Sequence, residues 1–131
     1  MVVVDTSVAI KWFFGEADSS QARSLLKSEA IGAPDLLYYE FANYLSMKDF
    51  VTSEEARDFV DRLYALPLQV FLLPQKAFRR AVELAKRFGL TAYDASFVAL
   101  AEALGADFVT ADAKLVRKLK SLSFVKPLPA S

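Results

Sequence analysis

Short apolar runs alternate with longer stretches of helical periodicity along this chain, and no tight hairpin signal joins two of the runs. That alternation restricts the fold more than any other feature. Strands separated by helices pair in parallel, because a parallel partner is reached only through a crossover. Val2-Val3-Val4 is a β-branched strand stopped by Asp5. Ile31-Gly32-Ala33, Leu68 to Leu73, Asp107 to Thr110 and Phe124-Val125 follow as strands, with Leu68 to Leu73 expected to be buried between Pro67 and Pro74. Between them helices are expected over Val8 to Phe14, Ala17 to Ala30, Asp35 to Met47, Thr52 to Ala65, Gln75 to Phe88, Thr91 to Leu104 and Ala113 to Leu119. The fold class is α/β with a parallel sheet, read as a single domain over residues 1–131.

Composition narrows the chemistry. Hydrophobic residues make up 54% and charged residues 24%, which excludes an intrinsically disordered chain. Zero Cys excludes a disulfide scaffold, a thiolate metal site and a cysteine nucleophile. Zero His excludes a Ser-His-Asp triad, imidazole acid–base chemistry and imidazole ligation of a metal. Any catalysis must run on carboxylates, hydroxyls, Lys or Arg. The uncharged run between Arg62 and Lys76 carries Pro67 and Pro74 and is too short and too broken to span a bilayer, so no membrane association is expected. Met-Val-Val-Val-Asp puts no basic segment ahead of its apolar run, so no signal peptide is expected and a cytoplasmic location is the default.

Four acids stand where structure alone does not demand them. Asp5 directly follows the first strand, and Asp112 follows the Phe108-Val109-Thr110 strand, so both belong to the carboxyl rim where open α/β sheets bind ligands. Each could equally be a plain cap of the next helix. Asp94 shares a helix stripe with Phe97, Val98 and Ala101, the core-facing side, where an unpaired carboxylate is costly. The alternative there is a first-turn acid favoured by the helix dipole. Glu40 lies on a helix face with Leu36, Leu37, Tyr44 and Met47, or else is simply half-exposed. Converging carboxylates repel one another, and with no His the natural compensation is Mg²⁺ or Mn²⁺ on oxygen ligands, a site that suits phosphodiester hydrolysis. Thr6, Ser7 and Thr110 could position water or a phosphate oxygen, although all three also suit caps and turns.

Taken in order, Val3-Val4-Asp5-Thr6-Ser7-Val8-Ala9-Ile10-Lys11-Trp12-Phe13, Glu40, Leu90-Thr91-Ala92-Tyr93-Asp94-Ala95 and Val109-Thr110-Ala111-Asp112 resemble the PIN domain, and more narrowly the VapC-type toxins of toxin–antitoxin pairs. The resemblance spans essentially the whole chain. It implies a three-layer α/β/α sandwich with a five-stranded parallel sheet and a Mg²⁺- or Mn²⁺-dependent endoribonuclease acting on an RNA substrate. A homodimer and neutralisation by a small DNA-binding antitoxin are implied with it. Asp5, Glu40, Asp94 and Asp112 fall at the family's four acidic positions, which makes them the expected catalytic and metal-binding residues, and Ser7 and Thr110 fall at its polar supports.

Net charge is zero, yet residues 1–65 hold 6 basic and 11 acidic side chains while residues 66–131 hold 10 and 5. The bland reading is ordinary solvated helix surface. The sharper one is a basic side that tracks a phosphate backbone, with Arg79, Arg80, Lys114 and Lys118 as candidate RNA contacts. Two other functions fit the pattern less well. A phosphoacceptor receiver domain needs an Asp after the third strand, where this chain has Pro74-Gln75. A PIN-fold binding module without catalysis is the other alternative, and the four intact acids argue against it.

Overall fold

The computed structural model describes residues 1–15 and 17–129. In chain order the elements are β1 (Val2–Val4), α1 (Thr6–Phe13), α2 (Ser19–Ser28), β2 (Ile31–Pro34), α3 (Leu36–Met47) and α4 (Ser53–Tyr64). Then come β3 (Leu68–Phe71), α5 (Gln75–Phe88), α6 (Ala92–Leu104), β4 (Asp107–Thr110), α7 (Ala113–Lys118) and β5 (Val125–Pro127). The strands make one five-stranded parallel sheet in the order β3-β2-β1-β4-β5. Right-handed crossovers place α1 to α4 on one face and α5 to α7 on the other, the three layers expected of the α/β class. The packing agrees: α1 lies on β1 and β4 and α3 on β2, while α6 spans β1, β2 and β4.

β1 is the central strand, so both of its faces and both of its edges are covered. This is why three consecutive Val residues are tolerated there, all of them buried. Val2 pairs with Ile31 on one side and Asp107 on the other. Leu68 to Leu73 departs from expectation. β3 is the sheet's outer edge, Gln69 and Val70 are exposed, and Leu72 lies beyond the strand at 79% exposure. Gln69, the polar residue within the run, is among the positions that meet solvent. β5 starts one residue later than expected and runs on to Pro127, a proline tolerated because this strand is the opposite edge.

Local signals set the helix ends as the sequence indicates. Thr52 and Glu55 form a reciprocal capping box at α4. The Thr91 hydroxyl accepts from the Asp94 amide at 3.0 Å at the start of α6. α5 ends on Gly89, whose φ of 68° lies in the left-handed region that a side chain resists. From Ala95 to Ala101 every residue of α6 is buried, so this helix is a core element and its first turn is held at the sheet rim. Among the described residues no helix is long and apolar enough to cross a membrane.

Candidate active site

The strand order reverses at β1. From there the chain builds outward to β2 and β3 on one side, and β4 and β5 fill the other. The crevice between the carboxyl ends of β1 and β4 is therefore the switch point at which open α/β sheets bind ligands. Asp5 leaves β1 into this crevice and is 7% exposed. Its main-chain carbonyl starts α1 by accepting from the Val8 and Ala9 amides at 3.2 and 3.3 Å, but its carboxylate makes no capping bond. The carboxylate turns to β4 instead. Ser7 Oγ donates to Oδ1 at 2.5 Å and Thr110 Oγ1 donates to Oδ2 at 2.6 Å.

Both hydroxyls are themselves anchored. Ser7 Oγ accepts from the Ala111 amide at 3.0 Å, and Thr110 Oγ1 accepts from the Asp112 amide at 3.1 Å. Thr110 is completely buried. The loop after β4 thus holds the two hydroxyls, and they hold Asp5 by both oxygens. Asp112 does what a cap does: its Oδ1 accepts from the Lys114 and Leu115 amides at 3.0 and 3.2 Å. Both capping bonds fall on that one oxygen, which leaves Oδ2 for other work. Glu40 is reached from α1, with Thr6 Oγ1 donating to its Oε1 at 2.5 Å. Asp94 is half-buried, and the bond that anchors it uses its amide, not its carboxylate.

The electrostatics bring the four acids into one set. Burial pushes the Asp5 carboxyl up to about 6, against the lowering effect of the Ser7 and Thr110 hydrogen bonds and of the nearby Val8 amide, and the Asp94 charge adds to the rise. Glu40 is raised by burial, opposed by Thr6 and reinforced by Asp94. Asp94 is raised by burial and then by Asp112, with Lys118 pulling the other way. Asp94 is the member that acts on or feels each of the other three. Desolvation, rather than mutual repulsion, comes first in every case.

A cleft of about 220 Å³ is lined by Asp94, Asp112, Lys114 and Lys118 beside the Gly89–Thr91 turn. Lys118 Nζ donates to the Gly89 carbonyl at 3.0 Å, which stations its charge at the cleft wall. Arg79 and Arg80 stand elsewhere, in a groove between α5 and the far end of α6. Arg80 is engaged by Glu102, with Nε at 2.7 Å from Oε1, and by Glu83 at 3.6 Å. The structure therefore divides the four basic candidates into two at the acids and two away from them. Gly89, which lines the Asp94–Asp112 cleft, reads in the sequence only as a helix stop; its place two residues before the Thr91 cap was the available signal.

The donor set suits a hard divalent cation: oxygen ligands only, three of them carboxyls held in partly or fully desolvated surroundings that disfavour their charge. Among the described residues no three acids stand close enough to ligate one ion together. An ion here would be held by one or two carboxylates and complete its shell with water and substrate, as Mg²⁺ commonly does.

A doubly wound parallel sheet with acids gathered at the rim of its switch point, hydroxyls locking the central one, defines the class: an open α/β protein whose candidate site is carboxylate-rich. The chain belongs to the PIN domain family, which it matches over residues 2–120. It is 31% identical over 129 residues to Ribonuclease VapC3 of Pyrobaculum aerophilum, covering 92% of this chain and 96% of that one. Its fold is also that of a toxin–antitoxin complex from Klebsiella pneumoniae, with a TM-score of 0.76, 15% identity and 100% of both chains covered. The Mycobacterium tuberculosis toxin VapC20, described as cleaving the sarcin–ricin loop, superposes with a TM-score of 0.75 at 18% identity, covering 98% of this chain and 100% of the other.

Proposed function

We propose that this protein is a divalent-metal-dependent endoribonuclease of the VapC type, the toxin of a toxin–antitoxin pair. The observation that carries the proposal is the locking of Asp5 by Ser7 and Thr110 at the β1–β4 switch point, with Asp94 electrostatically tied to Asp5, Glu40 and Asp112. Membership of a family whose relatives include named ribonucleases supports it.

Asp5 and Asp94 are the residues that would hold Mg²⁺ or Mn²⁺ directly, with Glu40 and Asp112 acting through water. When bound, the cation supplies an activated water and positive charge at the leaving oxygen of the phosphodiester. The chain supplies position. Two hydroxyls stop the Asp5 carboxylate from rotating, Thr6 presents Glu40 with Oε1 occupied and Oε2 left over, and Lys114 and Lys118 face the Asp94–Asp112 cleft, where a scissile phosphate would sit. Outer partners of this kind commonly determine the affinity and orientation of ligating groups.

The partners follow the same reading: a small DNA-binding antitoxin, and a second copy of the chain. For the copy, the surface with the right chemistry is the apolar cleft of about 300 Å³ that includes Tyr39, Phe78, Val82 and Tyr93, all more than half exposed. Phe78→Glu should shift the protein from dimer to monomer in light scattering. An unchanged dimer would place the interface elsewhere.

The deciding assay is cleavage of RNA with Mn²⁺, beside a chelated control and the Asp5→Asn and Asp94→Asn variants. Activity that needs metal and is lost in both variants is expected. Wild-type rates in the variants, with melting unchanged, would overturn the site assignment.

A further inference from the structure

The groove holding Arg79 and Arg80 is not part of the acid site, yet it is joined to it. α5 packs its Ala77, Ala81 and Leu84 stripe into the core and turns Lys76, Arg79, Lys86 and Arg87 to solvent. The two acids nearest these cations, Glu83 and Glu102, are both taken up by Arg80. Among the described residues Lys76, Arg79, Lys86 and Arg87 make no ion pair, and the five cations of α5 set against these two acids keep a net charge of +3. Lys76 and Arg79 wall a groove of about 510 Å³ whose other side includes Ala99 and Ala103 of α6, small residues that leave room for a chain to lie there. Arg87 is held over the Phe88 ring at 5.0 Å, an attachment that orients the guanidinium without neutralising it. One residue past the helix, the Gly89 carbonyl receives Lys118, so the Lys86–Arg87 end of α5 adjoins the wall of the Asp94–Asp112 cleft.

We propose that the exposed basic face of α5 is a track for single-stranded RNA on one side of the scissile bond, delivering it from the Lys76–Arg79 groove to the acid cleft. The proposal rests on the ribonuclease reading and adds to it where the substrate lies. Lys76 to Arg87 spans about 17 Å of helix axis, long enough to meet several successive phosphates. The cations lie along one helix as a Lys76–Arg79 pair and a Lys86–Arg87 pair with Glu83 between them, two points at which one strand's phosphates could be held. Arg80 sits beside the first pair as a brace between helices, its charge already spent on Glu102 and Glu83.

The test uses full-length protein carrying Asp94→Asn, so that RNA is bound and not consumed. Affinity is measured for a trinucleotide and for a longer single strand, each across a range of salt. With Lys76→Ala and Arg79→Ala added, the longer strand should bind more weakly and its logarithmic salt slope should flatten by about 1.4, two phosphate contacts at roughly 0.7 each. The trinucleotide should respond far less. An unchanged affinity and slope for the longer strand would overturn the track, as would equal weakening of both RNAs. Tighter binding of an acidic peptide than of RNA, lost in the same variant, would assign the face to a protein partner and overturn it too. Absence of metal-dependent cleavage by the wild type, with the length-dependent binding intact, would sink the nuclease reading alone.

Discussion

At the scale of single residues, Asp5 carries the most consequence. Its folded carboxyl titrates near 6 against an ordinary value of 3.8, chiefly because it is buried. The folded state thus binds this proton more tightly than the unfolded chain does, and stability falls as pH rises from about 4 to about 6 before levelling off. A shift of this size is worth on the order of 3 kcal/mol. Glu40 and Asp94 are raised as well, so they act in the same sense. In chelator the protein should melt lower at pH 7 than at pH 4.5, and Asp5→Asn should flatten that dependence. Mn²⁺ should raise the melting temperature at pH 7 by binding the native site. A melting temperature that climbs with pH through this window would show that the carboxyl is not desolvated.

Thr110 offers a second residue-scale test. Its buried hydroxyl donates to Asp5 and accepts from the Asp112 amide, so Thr110→Val removes a donor and an acceptor while keeping the shape. Leaving buried groups without their partner costs about 1–3 kcal/mol. Metal-dependent cleavage should drop about 10- to 100-fold, the usual loss when a group orienting a ligand is removed. The reading fails if activity and melting both match wild type.

At the scale of elements, the turn between α5 and α6 joins stability to the site. Gly89 at a φ of 68° closes α5, its carbonyl anchors Lys118, and Thr91 two residues on caps the helix bearing Asp94. A Cβ at Gly89 meets no neighbour within 4 Å, so the cost of Gly89→Ala is conformational and not steric crowding. It should destabilise by about 1 kcal/mol, measurable by denaturant melts. Most element boundaries were readable along the chain because caps and breakers act over three or four residues. Thr52-Ser53-Glu54-Glu55 carries its capping box in its own spacing, and the pair is formed. β3 was misjudged for the opposite reason. Nothing within Leu68–Phe71 says whether another strand lies outside it, and in the sheet none does.

At the scale of the whole molecule, the excess of basic residues after position 65 becomes a surface only because α5 and α7 meet at Gly89. The apolar cleft between α3 and α5 likewise assembles residues as distant as Leu36 and Tyr93. The sequence by itself determined the order of strands and helices, the α/β class, the restriction to oxygen and nitrogen chemistry without His or Cys, and which four acids to examine. These follow from periodicity, local hydrogen bonding and side-chain inventory, all short-range or compositional. Tertiary structure decided that Asp5 serves no side-chain cap while Asp112 does, that Arg80 is held by Glu102, and that β3 is an edge. It also placed Thr110 against Asp5 across a separation of 105 residues. Such pairings depend on how much apolar surface the whole sheet buries on both faces. That quantity belongs to the assembled chain and to no single segment of it.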